Sequence, residues 1–124
     1  MKLLLDTHAL LWWLADAPLA EPAREAIASP DSTVLVSAAS VWEISIKRAL
    51  GKVRTGEDLP GAIRAAGFDP LPIGFEHAEL AGSLPPHHRD PFDRMLVAQA
   101  AITGSTLVTR DRAYDPYDVP VLAC

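Results

Sequence analysis

The chain has 124 residues, one domain's worth (1–124), and folding would bury about 60–70% of its unfolded surface. Hydrophobic residues make up 49% of it with a mean hydropathy of +0.13, yet no apolar run approaches the ~20 residues of a membrane span. A net charge of −5 argues against a protein that grips nucleic acid through a broad basic face, and the lone Cys124 rules out an internal disulfide. The apolar content suits a protein with a persistent partner or a self-interface. The cysteine usage suits a reducing, cytoplasmic setting.

Residues 2–5 read as a strand whose Leu3-Leu4-Leu5 run is wholly apolar, as one buried on both faces should be. Met1-Lys2 leads straight into them with no cleavage site, so a secretory signal is not expected. Ala9 to Leu14 carry Leu10, Leu11 and Leu14 at helical spacing, and Pro18 ends the pattern. A short helix over 21–28 has Pro22 in its first turn. Residues 33–36 predict a second strand, and Ser40 to Leu50 a helix stopped by Gly51. Leu59 to Ala66 read as a helix stopped by Gly67. Leu71-Pro72-Ile73 reads as a short strand, which Pro72 consigns to a sheet edge. Phe75 to Leu84 look helical, and Pro85 to Arg89 form a loop. Pro91 to Ile102 give the strongest helical pattern, closed by Gly104. Residues 106–109 predict a strand, and Val119 to Leu122 a last edge strand. Strands alternating with helices predict an α/β fold: a mainly parallel central sheet, with right-handed crossovers placing helices on both faces.

Four acids stand just beyond these strands or early in the helices that follow. They are Asp6, Glu43, Asp93 and Asp111. In a parallel sheet the carboxyl ends of the strands share one rim, where ligands bind. Asp6, Asp93 and Asp111 map to that rim, with Glu43 about one helical turn above it. Each acid also has a purely structural role open to it. Asp6 or Thr7 can cap the first helix. Ser40-Val41-Trp42-Glu43 is a capping box in which Glu43 reaches back to the Ser40 backbone. Asp90 caps a helix with Asp93 in its first turn, and Asp111 can stabilise a turn.

The conjunction points elsewhere. Like charges ~4 Å apart repel by about 4 kcal/mol at an effective dielectric near 20. Four such groups on one rim need a counter-ion, and carboxylate oxygens suit Mg²⁺ or Mn²⁺. Zinc is not expected, because no Cys or His accompanies the acids at zinc-like spacing. Such a centre cuts or transfers phosphate esters. Without the four candidates, 12 acids face 11 bases, so the remainder is nearly neutral. The bases fall in two groups, Lys47, Arg48, Lys52 and Arg54, and Arg89, Arg94, Arg110 and Arg112 flanking the rim.

Other candidates are secondary. His87 and His88 read as a solvated loop, though near Asp93 in sequence. His8 is open to substrate or core. Trp12, Trp13 and Trp42 read as core or interface. Thr109 and Ser37, at strand ends, can orient a carboxylate or cap a turn. There is no glycine-rich phosphate loop.

Four stretches carry a resemblance. They are Leu4-Leu5-Asp6-Thr7-His8-Ala9-Leu10-Leu11-Trp12, Ser40-Val41-Trp42-Glu43-Ile44-Ser45-Ile46-Lys47, His88 to Gln99 through Asp90-Pro91-Phe92-Asp93, and Thr106-Leu107-Val108-Thr109-Arg110-Asp111. In order and spacing the chain resembles PIN-domain ribonucleases, and among them the VapC toxins of type II toxin–antitoxin pairs. The resemblance implies a compact PIN-like α/β fold and Mg²⁺- or Mn²⁺-dependent endoribonuclease activity carried by Asp6, Glu43, Asp93 and Asp111. It implies a VapB-like antitoxin and a homodimer. Asp90 is an additional acid in the loop. The alternatives are a PIN-like protein that binds RNA or a partner without cutting, and a haloacid-dehalogenase-like phosphatase. The latter wants a second acid two residues after Asp6, where His8 stands.

Overall fold

A computed structural model describes residues 1–56 and 58–124. Five strands, β1 (Lys2–Leu5), β2 (Thr33–Ser37), β3 (Asp69–Leu71), β4 (Thr106–Thr109) and β5 (Val121–Ala123), form one sheet in the order β3-β2-β1-β4-β5. All four pairings are parallel. The chain winds outward from the central β1 through β2 to β3, then crosses and builds β4 and β5 on the other side. The order therefore reverses between β1 and β4, and a crevice opens beyond their carboxyl ends.

Six helices cover the sheet: α1 (Thr7–Leu14), α2 (Glu21–Ala28), α3 (Ala38–Ala49), α4 (Leu59–Ala65), α5 (Phe75–Ser83) and α6 (Pro91–Thr103). Side chains alternate across a strand, so β1 serves two cores at once. Leu3 and Leu5 pack with Leu10 of α1, Ile27 of α2, Ile44 of α3 and Ile63 of α4. Leu4 points the other way, onto Leu96, Val97 and Ala100 of α6 and onto Tyr114. In β4, Leu107 joins the second core and Val108 the first. All three leucines of β1 are fully buried, and its one charged residue, Lys2, is exposed at the start of the strand.

The edge strands differ from the sequence reading. β3 lies two residues earlier than expected, at Asp69–Leu71, because Phe68 is the residue that anchors the segment in the core. β5 begins at Val121, since Pro120 has no N–H and gives only its carbonyl to Leu107. Both are edge strands, as expected. Helix α3 starts at Ala38 rather than Ser40. β2 passes directly into the helix, and Ser37 is the cap, its hydroxyl accepting from the Ala39 amide at 3.0 Å. The expected Ser40–Glu43 capping box is therefore absent, and both side chains turn inward, buried. Gly104 ends α6 with φ of +68°, a left-handed cap that costs a residue with a Cβ extra strain. None of the described helices is long and apolar enough to cross a membrane.

Candidate metal centre

Asp6 is the residue after β1, and its amide continues the sheet by donating to the Val108 carbonyl at 3.0 Å. One carboxylate oxygen caps α1 through the Ala9 amide at 2.7 Å. The other accepts the Thr109 hydroxyl proton at 2.5 Å. That same hydroxyl accepts from the Asp111 amide at 3.0 Å. Thr109 thus ties the tips of β1 and β4 together and sets Asp6 and Asp111 on either side of the crevice. Asp6 is only 4% exposed, and burial raises its pKa despite the two hydrogen bonds.

Asp93 lies in the first turn of α6, behind the cap of Asp90, whose carboxylate accepts from the Phe92 amide at 2.9 Å. The Tyr114 hydroxyl donates to Asp93 at 2.6 Å. Burial, aided by the charges of Asp90 and Glu43, pushes the Asp93 pKa up from 3.8 to about 6, against the opposing pull of Tyr114 and His88. Asp111 behaves oppositely. It begins a short 3-10 turn (Arg112–Tyr114) and accepts from the Ala113 amide at 2.9 Å; chiefly that bond lowers its pKa. Glu43, buried on α3, accepts from the Thr7 hydroxyl and from Lys47 Nζ, each at 2.7 Å. Ser40 Oγ lies 3.1 Å from the same Thr7 hydroxyl.

The four acids do not form one tight knot. Among the described residues, the group whose ligand atoms all lie within 4.8 Å of one another is His88, Asp93 and Asp111. Asp6 and Glu43 stand in the adjoining ring. The field of Asp111 reaches Asp6, and that of Glu43 reaches Asp93.

His88 is the correction to the sequence reading. It is not solvated: its side chain is 14% exposed, and Nε2 lies 3.0 Å from Asp93 and 2.9 Å from Asp111. The signal was present in its place five residues before Asp93, but only the fold of the 85–90 loop brings the ring back over the acids. Thr7 and Tyr114 also escaped the sequence reading as groups that hold the acids. Their partners lie 36 and 21 residues away, beyond any local motif. His87 stays exposed with its edge on Tyr117, and His8 stacks on Trp12 at the surface. Trp12 and Trp13 pack partly buried on the first core, whereas Trp42 is 61% exposed beside Phe92.

The bases make no stripe. Arg48 binds Thr55 and Gly56, Arg110 reaches the Cys124 carbonyl and lies over the Trp12 ring, and Arg112 pairs with Asp115. Lys47 and Arg89 instead line a groove of about 400 Å³ that starts at Glu43 and runs past Ile46 and Phe92. A separate apolar groove of about 470 Å³, between α3, α4 and β3, is lined by none of the four acids.

The donor chemistry suits a hard divalent cation. Carboxylate oxygens predominate, three ligand atoms are close enough for one ion to take all of them, and the raised pKa of buried Asp93 records a deficit of positive charge that such an ion corrects.

Comparison with known proteins agrees. Residues 3–119 match the PIN domain family model. The chain is 32% identical over 117 residues to ribonuclease VapC22 of Mycobacterium tuberculosis, covering 88% of this chain and 86% of that protein. Its fold superimposes on VapBC2 of Rickettsia felis bound to a promoter DNA fragment with a TM-score of 0.74 at 13% identity, over 99% of this chain and 98% of that one. For a toxin–antitoxin complex of Klebsiella pneumoniae the TM-score is 0.68 at 19% identity, over 96% and 95% of the two chains. The chain belongs to the PIN domain family, on its VapC ribonuclease branch.

Proposed function

We propose that the protein is a metal-dependent endoribonuclease and the toxin of a type II, VapBC-like toxin–antitoxin pair. The observation that carries this is the gathering of Asp6, Glu43, Asp93 and Asp111 about the crevice where the strand order reverses, in a chain of the VapC branch. Those four residues are the proposed holders of Mg²⁺ or Mn²⁺. When bound, such an ion lowers the pKa of water and offsets the charge that develops on a phosphodiester under attack.

The chain's own groups prepare that chemistry. Thr109 and the Ala9 amide fix both oxygens of Asp6, so its lone pairs face a set direction. Tyr114 does the same for Asp93, and Thr7 and Lys47 for Glu43. Water is the proposed nucleophile and the 3′-oxygen the leaving group, so the products carry a 5′-phosphate and a 3′-hydroxyl. The groove past Lys47, Arg89 and Phe92 offers the RNA strand two cations and a ring beside the acids.

Partners follow from the same reading. The acidic crevice invites a basic segment of a VapB-like antitoxin. Trp42, Ile46 and Leu50, exposed by 61%, 38% and 64% at one-turn intervals along α3, support a homodimer. We place its action in the cytoplasm, with its RNA.

The test is cleavage of total cellular RNA by antitoxin-free protein with Mg²⁺, with Mn²⁺, with EDTA, and with Asp93→Asn. Discrete fragments from the wild type with metal alone are expected. Undiminished cutting by Asp93→Asn would refute the assignment of the site. Cyclic 2′,3′-phosphate ends would refute attack by water. RNA held but never cut would favour a binding-only protein.

A further inference from the structure

We propose that His88 joins the four carboxylates as a metal ligand, binding through Nε2 beside Asp93 and Asp111, so that the centre is a mixed nitrogen–oxygen site that prefers Mn²⁺ to Mg²⁺. The inference rests on the metal-dependent reading above.

The distances support it. Nε2 lies 3.0 Å from Asp93 Oδ2 and 2.9 Å from Asp111 Oδ2. Neighbouring ligands in an octahedral shell with bonds of ~2.1 Å stand about 3 Å apart, so Nε2 already has that spacing from each carboxylate, and all three ligand atoms lie within 4.8 Å of one another.

The ring is also held there. The His88 amide donates to the Tyr117 hydroxyl at 2.9 Å, and that hydroxyl donates to the Pro85 carbonyl at 2.6 Å. Tyr117 is buried, so the loop is pinned to the second core at Pro85 and at His88 itself. The imidazole packs against the Tyr114 ring, 5.1 Å between centroids, and Tyr114 itself positions Asp93. The Asp90 amide donates to Nδ1 at 3.4 Å, a long bond that is given up when the ring proton moves to Nδ1 and frees the Nε2 lone pair for a metal.

The choice of ion follows from the donors. Imidazole nitrogen suits first-row transition ions, whereas Mg²⁺ favours oxygen and water. One nitrogen among the carboxylates tilts the site toward Mn²⁺.

A competing role has the opposite signature. If His88 merely spaces the two acids apart as a stand-in cation, its removal strengthens metal binding. The experiment is titration of the metal-free full-length chain with Mn²⁺ and, separately, Mg²⁺, by calorimetry. Wild type, His88→Ala and His88→Gln are compared, with circular dichroism to confirm the fold. The Mn²⁺ spin-echo spectrum is read for nitrogen modulation. Nitrogen modulation in the wild type is expected. It should vanish in both variants, with Mn²⁺ affinity down roughly tenfold or more and Mg²⁺ affinity changed much less. Absence of nitrogen modulation, unchanged or tighter Mn²⁺ binding in folded variants, or no Mn²⁺ binding at all overturns the proposal. RNA cleavage separates this from the functional reading. A nitrogen-ligated metal without cleavage defeats the ribonuclease assignment alone, and metal-dependent cleavage without nitrogen ligation defeats only the role of His88.

Discussion

Asp93→Asn is expected to stabilise the metal-free protein. The Asp93 carboxyl is pushed up from 3.8 to about 6, foremost by burial. Two pKa units correspond to about 3 kcal/mol by which the folded state disfavours the charged form. The sign is set by proton linkage. Between about pH 3.8 and 6 the folded chain keeps a proton that the unfolded chain has released, so stability falls as pH rises through that window. Above it the whole cost is present; below it, none.

An amide removes the charge and still accepts from the Tyr114 hydroxyl. Some of the gain is lost because that hydrogen bond is weaker to a neutral acceptor, leaving about 1–2 kcal/mol. For a chain of this size that is on the order of 4–8 °C in Tm. The assay is thermal unfolding by circular dichroism in EDTA, wild type against variant, at about pH 7.5 and again near pH 4.5. The variant should melt higher at the first pH, with the gap closing at the second. Mn²⁺ at a hundredfold excess over its Kd should add about 2.7 kcal/mol to the wild type alone and reverse the order. A variant that melts lower in EDTA near neutral pH, or a gap indifferent to pH, would refute the reasoning.

Tyr114→Phe removes the hydrogen bond that holds the Asp93 pKa down. The acid limb of the pH–rate profile for RNA cleavage should move to higher pH, and an unmoved limb would mean that Asp93 does not set it. Thr109→Val deletes a buried hydroxyl that serves both Asp6 and the Asp111 amide. It should cost about 1–3 kcal/mol in urea unfolding. It should also weaken Mn²⁺ binding by about 10–100-fold, measured by calorimetry; an unchanged Kd would exclude Asp6 from the centre.

The layered architecture was legible in the sequence because its signals are local. The Leu3-Leu4-Leu5 run of β1, the proline and glycine boundaries of α6, and the alternation of strands with helices each need only a few neighbouring residues. The capping box at Ser40 misled for the same reason. Its four residues fit a local rule, but the chain enters α3 straight from β2, and Ser37 reaches the helix start first. Of the candidate acids, Asp6, Asp93 and Asp111 stand at the ends of elements, a signal that is local, whereas Glu43 lies in the middle of α3 and reads as near a helix start only if Ser40 is the cap. His88 could not be picked out, since a two-histidine stretch between prolines and an arginine looks solvated until the Tyr117 hydroxyl anchors it. Nor could the raised pKa of Asp93 be foreseen, which depends on burial and on charges from α3 and the 85–90 loop.

The hydrogen bond between Thr109 and Asp6 spans 103 residues of sequence. During synthesis, therefore, the first acid of the site leaves the ribosome long before the hydroxyl that orients it. The central strand of the sheet must wait for β4, its neighbour on one side, which lies near the end of the chain. A nascent or truncated toxin that stops short of β4 has neither Thr109 nor Asp111, and its Asp6 has no partner across the crevice. Pairing of β4 with β1 is therefore the step that brings the candidate acids face to face, and no shorter fragment can gather them.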